Sequence, residues 1–399
     1  MLPVAEAIRI ILAHTEHLPA EKVSLPETLG RVLAENVIAD SDLPPFNRAQ
    51  MDGYAVRSDD LQITPAQLKI VGEAAAGAGW HNELRAGEAV RIMTGAPVPT
   101  GADSVQKVEV TRENEGFVEI GEPTNAGQFI TPHASEIQAG ATVLRAGEVI
   151  NAAKMAVLAS FGYAQVSVGA RPRVAILATG SELVKVAETP ARDQIRDSNT
   201  YSLAAYATLA GAKVERLPLA GDDLNALAKT ISDAAARSDV LVLSGGVSMG
   251  VYDFTKTALR ELGAEIMFER VSLRPGKPTV FAKLGKTLVF GLPGNPVSVS
   301  VTFNLFARAA IRALQGADDA APVTETAILS RPVKGSLERA SYLPALLKTN
   351  SDGQLLAEPL KWGGSSDFVA FAQAAALIIV PEGVREYETG QTVSVIKLP

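Results

Sequence analysis

Among its 399 residues the sequence has no cysteine. That absence excludes a disulfide framework, a cysteine-ligated zinc and an iron–sulfur cluster held by the chain itself, and it fits a reducing, cytoplasmic setting. Histidine is scarce too. His14, His17, His81 and His133 form no H-x-x-x-H pair, which disfavours a histidine zinc site and a Ser-His-Asp triad, and His14 and His17 read as solvated. Lysine and arginine total 37 against 44 acids, a net charge of −7. With no basic run to neutralise a phosphate backbone, nucleic acid is not an expected partner. Long apolar runs are missing as well. The N-terminal "MLPVAEAIRIILAHTEHL" is broken by Glu6 and Arg9 and sets Ala5, Ile8 and Leu12 on one face, so it reads as an amphipathic helix, neither a signal peptide nor a membrane span.

What the chain does have is length and texture. With 47% hydrophobic and 20% charged residues it is an ordinary globular composition, long enough for several domains. Residues 1–45 hold the first helix and a second short helical pattern in "LPETLGRVLAENV", stopped at Pro44-Pro45. Together with 141–170 they form an expected extended N-terminal domain. Residues 46–140 read as a β-rich insert, with short strands punctuated by Gly and Pro. "LRAGEAV" (84–90) and "LRAGEVI" (144–150) look alike and read as two similar turn-then-strand pieces. From 171 to 318 strands alternate with helices, which implies a parallel sheet covered on both faces. This stretch includes the paired runs "PTVFAKL" and "KTLVFGL" and a long apolar helix opened by Pro296. Residues 319–399 return to β texture, a small barrel or sandwich.

In an open α/β sheet ligands bind beyond the carboxyl ends of the strands. The strand-ending loops here are "ATGSELV", "AGDD", "SGGVSMGVYDF" and "GLPGNPVS". They offer small residues with backbone N–H groups, namely Gly180, Ser181, Ser244, Gly245, Gly246, Ser248, Gly250, Gly294 and Ser298, beside the carboxylates Glu182, Asp222 and Asp253. A phosphorylated ligand with a divalent cation needs this combination. Each carboxylate also has an ordinary role: Glu182 as a first-turn acid, Asp222 or Asp223 as a cap for "LNALAK", Asp253 as a cap for "DFTKTALREL". The loop is neither a P-loop nor a G-x-G-x-x-G fingerprint. The basic counterpart is "FERVSLRPGKPTVF", which places Arg270, Arg274 and Lys277 around a turn stiffened by Pro275, Gly276 and Pro278. Arginine forks suit phosphates and tetrahedral oxyanions. In the insert, Asp52 lies in a Met-Asp-Gly turn and Thr94 precedes Gly95.

In chain order, "PPFNRAQMDGYAV", "RIMTGAPVPTGAD", "ATGSEL", "SGGVSMGVYDF", "RPGKPTVF" and "GLPGNPVSVSVTF" resemble the molybdopterin molybdenumtransferase family (MoeA and the E domain of gephyrin). The resemblance spans the chain from the first helix to the last strands. It implies a homodimer of multidomain α/β subunits. Each would have a central three-layer α/β domain like that of the adenylyl-molybdopterin-making partner enzyme (MogA-like), a β-rich insert, an extended N-terminal dimerisation domain and a C-terminal β-barrel. It also implies a reaction in which adenylylated molybdopterin and molybdate enter, metal is inserted at the dithiolene, and AMP is released with Mg²⁺ present. The metal's sulfur ligands then belong to the pterin, so a chain without cysteine suffices.

Residue by residue, the resemblance implies a site of Asp52, Thr94, Glu182, Asp222, Asp253, Arg270 and Arg274. Pro293 and Pro296 shape a wall, and Arg339 and Ser365 supply further polar contacts. Charge divides the labour: Arg270, Arg274 and Lys277 draw molybdate and phosphate, while Asp52, Glu182, Asp222 and Asp253 hold Mg²⁺ or position water, with Glu182, Asp222 and Asp253 as the metal set. Expected partners are a second copy, the molybdopterin adenylyltransferase and cofactor-accepting enzymes, with no nucleic acid and no membrane. Two positions depart from the family pattern. Arginines stand at 270 and 274 where lysines are frequent, and "PHASEIQAG" puts Glu136 where the family often has an aspartate. A scaffold without the chemistry and a tungstate-specific transferase are the competing readings.

Overall fold

The computed structural model describes residues 1–221, 223–246 and 254–399. The chain divides into two compact units. The first comprises Met1–Glu35, Ala146–Met155 and Gln165–Pro399, the second Asn36–Arg145 and Ala156–Ala164.

At the centre of the first unit is a six-stranded sheet in the order Lys213–Arg216, Arg173–Ala178, Val240–Ser244, Thr287–Leu292, Val280–Leu284, Glu265–Phe268. The first four strands are parallel. The alternating units imply a parallel sheet, and the paired run Val280–Leu284 departs from it, antiparallel to both neighbours. Only Gly285 and Lys286 separate Leu284 from its partner Thr287, and two residues can make a hairpin but not a crossover.

Because the interior strands are apolar on both faces, each strand contributes to two cores. Val174, Ile176, Val242, Phe281 and Phe290 pack on one side with Leu203 and Ala207 of the helix Asn199–Leu209, the helical run 296–314 and the first helix. Ala175, Leu177, Leu243, Ala282 and Val289 pack on the other with Leu227 and Ile231 of Leu224–Ala235 and with Ala258 and Leu259 of Phe254–Glu261. The result is three layers. The run 296–314 is long and apolar enough to cross a membrane by composition, yet 89% of it is buried inside this unit, so its apolarity is that of a core helix. A π-helical turn, Phe303–Ala307, interrupts it.

Two local expectations shift. The first helix, Val4–Ala13, buries Val4, Ala7 and Ile11, while Ala5 is exposed and Ile8 and Leu12 are only half buried. With nearly every position apolar, the stripe alone does not fix the face. His14 is half buried: its Nδ1 lies 2.8 Å from the Ile10 carbonyl and its ring meets Phe281 edge-on. The pattern "LPETLGRVLAENV" yields one short 3-10 turn, Leu25–Glu27, after which Val32 and Leu33 bridge to Val149 and Val168. Gly30, at φ 74°, stops any helix between them.

The C-terminal segment is a barrel. Ala340–Thr349 pairs with both Leu355–Pro359 and Ala376–Val380, and Glu325–Leu329 and Thr392–Lys397 complete a closed five-stranded ring around Leu329, Ala345, Ile378 and Val395. Leu273–Arg274 adds to its edge in parallel with Ala340–Ser341. That pairing ties the basic turn to the barrel.

The second unit is built on another six-stranded sheet, ordered Ser104–Lys107, Gly53–Val56, Glu88–Ile92, Ala66–Ala74, Phe117–Ile120, Thr111–Asn114. Small cores lie on its two faces, one around Val90, Ile92 and Val105, the other around Leu61, Leu68 and Val118. Both "LRAGE" stretches are turns closed by a glycine of positive φ, Gly87 and Gly147.

Candidate functional site

Two cavities open at the carboxyl edge of the three-layer sheet. The larger, about 1440 Å³, is lined by the ends of three neighbouring strands. Gly180, Ser181 and Glu182 follow Arg173–Ala178, Ser244, Gly245 and Gly246 end Val240–Ser244, and Pro293, Gly294 and Pro296 follow Thr287–Leu292. The glycines are required by space. Gly245 has φ 94°, and a Cβ there would sit 2.5 Å from the Thr179 carbonyl oxygen; one at Gly246, φ 64°, would sit 2.5 Å from Thr255 Oγ1. The turn is fastened by Gly245 N–H donating to Leu292 O (3.1 Å) and Thr179 N–H donating to Ser244 O (3.0 Å). Tight turn and ligand wall are therefore the same backbone.

The helix Asn199–Leu209 and the residues leading into it bring to this cavity two side chains that the loop motifs do not include. Asp197, 5% exposed, accepts hydrogen bonds from Thr200 N–H and Thr200 Oγ1, with Arg216 Nη2 at 4.0 Å and its guanidinium stacked over Tyr201. Asn199 donates from Nδ2 to Ser244 Oγ (2.9 Å) and Gly294 O (2.7 Å), joining three loops. Their signal is the polar run "RDSN" just ahead of the helix, which resembles a cap.

The smaller cavity, about 700 Å³, lies between the basic turn and the barrel. Arg274 and Lys277 come from the turn, Lys334 and Arg339 from the C-terminal segment, and among the described residues no carboxylate lines it. None of these four cations makes an ion pair among the described residues. Gly276 seats the turn: at φ 116° its Cβ would fall 2.5 Å from Thr302 Cγ2 on the long helix. Ser365 and Ser298 also line the cavity. Ser365 Oγ accepts from Asn295 Nδ2 (2.9 Å), which leaves its own proton available. Asp367 secures this loop by accepting from Gly363 N–H (2.7 Å) and Ala370 N–H (3.2 Å), and those two bonds hold its carboxyl below the usual aspartate range. Pro278, Pro293 and Asn295 border both cavities, so the two are contiguous.

The structure thus brings Gly180, Ser181, Glu182, Ser244, Gly245, Gly246, Gly294 and Pro296 to one cavity, and Arg274, Lys277, Ser298, Arg339 and Ser365 to the adjoining one, with Pro293 between. Arg270 is exposed and lines neither. Asp222, Ser248, Gly250 and Asp253 lie outside the described residues. Asp223 is a helix cap, accepting from Ala226 N–H at 2.7 Å, worth about 1 kcal/mol. Among the described residues no group of three or more His, Asp or Glu is arranged to hold a metal. Lys334 was not anticipated: it reaches the site only because its strand, Val333–Lys334, pairs with Glu386–Tyr387.

In the second unit, Asp52 Oδ1 accepts from Thr94 N–H (2.6 Å) and Thr94 Oγ1 (2.8 Å). The backbone bond, then the hydroxyl bond, lowers the Asp52 pKa and leaves a carboxylate with its second oxygen uncommitted. Glu136 pairs with Arg48 at 3.2 Å, and His133 Nε2 lies 2.9 Å from Asp42 Oδ2.

Comparison with known proteins covers the chain end to end. The description "MoeA N-terminal region (domain I and II)" fits residues 2–162, "Probable molybdopterin binding domain" fits 175–313, and "MoeA C-terminal region (domain IV)" fits 326–398. A protein of Bacillus subtilis named molybdopterin molybdenumtransferase is 35% identical over 99% of this chain and 94% of its own; a Staphylococcus aureus protein of the same name is 34% identical over 99% and 95%. Two solved structures of the molybdopterin biosynthesis MoeA protein from Pyrococcus horikoshii cover all of this chain. One covers 99% of its own chain with TM-score 0.81 at 30% identity, the other 100% with TM-score 0.85 at 27%. Sequence, fold and the order of the loops agree, and the chain belongs to the molybdopterin molybdenumtransferase (MoeA) family.

Proposed function

We propose that this protein acts in molybdenum cofactor biosynthesis by inserting molybdate into adenylylated molybdopterin with release of AMP. The observation that carries the reading is the pair of contiguous cavities, one walled by glycine turns and one by four cations without an acid. A bulky phosphorylated heterocycle suits the first, a tetrahedral dianion the second. Arg274, Lys277 and Arg339 attract and orient molybdate, and the Ser365 hydroxyl donates to one of its oxygens. Backbone groups of Gly180, Gly245 and Gly246 position the phosphoanhydride, whose P–O bond is cleaved by water as AMP leaves.

Glu182 would hold Mg²⁺ brought with the substrate's phosphates, and the cation would there offset phosphate charge. A cation that keeps several waters and takes one or two carboxylates needs no preformed cage, and the side chain offered by Glu182 is an oxygen donor, as Mg²⁺ requires. The Asp52–Thr94 pair serves the same reaction, as the resemblance implies, and the working form is a homodimer in the cytoplasm. Incubating purified protein with adenylylated molybdopterin, molybdate and Mg²⁺ should give AMP and active cofactor. If neither forms, the proposal fails. Omitting Mg²⁺ should stop turnover, and light scattering should report twice the mass of the chain.

A further inference from the structure

The larger cavity is bordered by two residues whose buried polar atoms have no partner among the described residues, Asn199 Oδ1 and Thr179 Oγ1. Which end of the Asn199 amide is the oxygen follows from its neighbours. One terminal atom lies 2.7 Å from the Gly294 carbonyl, and a carbonyl only accepts, so that atom must be nitrogen. Its second hydrogen goes to Ser244 Oγ. Both amide hydrogens are then used, and what remains is Oδ1, a pure acceptor. A phosphate or molybdate oxygen placed against it would set acceptor against acceptor. An N–H or O–H donor, from a ligand or a water, answers it.

Thr179 stands on the same wall. It is 7% exposed, and its Oγ1 lies 3.1 and 3.0 Å from where a Cβ on Gly245 or Gly246 would be. The wall offers an acceptor and a hydroxyl, and the charged lining of this cavity, Glu182, Arg196 and Asp197, includes one cation where the adjoining cavity has four.

We propose that Asn199 determines specificity for the heterocyclic end of the substrate: its Oδ1 accepts from an N–H donor edge, the amino-pyrimidinone edge of the pterin, with the Thr179 hydroxyl beside it. The proposal rests on the reading of the reaction given above and adds an orientation. The donor-rich ring edge faces Asn199, the phosphoanhydride lies along the glycine turns, and molybdate faces the four cations. A pterin presents an amino group and a ring N–H side by side, whereas adenine presents one amino group among acceptors, so the pterin matches the wall better.

The test uses the full chain and equilibrium dialysis with two probe pairs. Pterin (2-amino-4-oxopteridine) is compared with lumazine, which carries a carbonyl in place of the amino group, and AMP is compared with IMP, which makes the same exchange on the purine. Wild type should bind pterin about tenfold or more tighter than lumazine and should not discriminate between AMP and IMP. In Asn199→Ala the pterin-to-lumazine ratio should collapse towards one through loss of pterin affinity. Thr179→Val, close in shape, should reduce the ratio while keeping the thermal midpoint. The wild-type ratio stands even if Asn199→Ala does not fold. Equal binding of pterin and lumazine, binding of neither, or discrimination confined to the AMP pair would each overturn the assignment. AMP release from the natural substrate judges the reaction separately.

Discussion

The two cavities of the first unit share a border of Pro278, Pro293 and Asn295 and differ in nearly everything else. The larger is made mostly of backbone at strand ends. Gly245 and Gly246 leave no room for a Cβ, and Asn199 spends its amide hydrogens on the Ser244 hydroxyl and the Gly294 carbonyl. The smaller is made of long cationic side chains drawn from two parts of the fold, and no carboxylate among the described residues answers them. The first is preorganised and has Glu182 and Asp197 beside a single cation, Arg196, so on the proposed reading it selects by shape and hydrogen-bond direction. The second holds uncompensated charge, which selects by valence and draws its ligand from a distance. A substrate that is a ring at one end and an anion at the other is sorted by both.

Changes to the cationic side should cost most. Arg274→Ala, which removes a bidentate fork from the acid-free cavity, should slow AMP release by about a hundredfold or more and raise the molybdate requirement, with little change in melting temperature. An unchanged molybdate dependence would break the contrast. Glu182→Gln should lower kcat by roughly ten- to a hundredfold while pterin binding stays within about twofold, placing its effect on the cation and water. Ionic strength should separate the cavities without mutation. Raising salt from low to about 0.5 M should weaken molybdate binding several-fold and leave pterin binding nearly unmoved, because screening acts on charge.

A pH effect follows from Asp367, whose loop borders both cavities. Its folded pKa is depressed, so its contribution to stability is fully present above the ordinary value of about 3.9 and is lost as pH falls through the lowered one. The melting difference between wild type and Asp367→Asn should therefore be constant from pH 5 to 8 and shrink below about pH 4. A difference that instead grows in acid would refute the bond assignment. Smallest should be Asp223→Ala, which removes only a cap: about 1 kcal/mol, a drop of a few degrees, and unchanged AMP release.

Legibility in the sequence followed the range of the interaction. Strand-ending glycines and the Pro-Gly turn are local, and "ATGSEL", "SGG" and "RPGKP" announced both the sheet and loops that line its cavities. Asn199 and Lys334 were not announced, because their importance comes from chain-distant partners: Gly294 lies 95 residues from Asn199, and the Lys334 strand is held by Glu386–Tyr387. The same reason undid the second helix near the N-terminus. "LPETLGRVLAENV" has helical spacing, but Val32 and Leu33 gain more by bridging to Val149 and Val168, a tertiary preference that outranks propensity. The reversed strand Val280–Leu284 could have been foreseen from the two-residue link that precedes Thr287.

Gly276 presses the basic turn onto Thr302, and six residues earlier the same helix begins at Pro296, on the wall of the larger cavity. A single rigid rod therefore sets the span between ring end and anion end, at about 1.5 Å per residue. On the proposed reading that rod is a fixed gauge, matched to a ligand whose two ends reach both cavities at once.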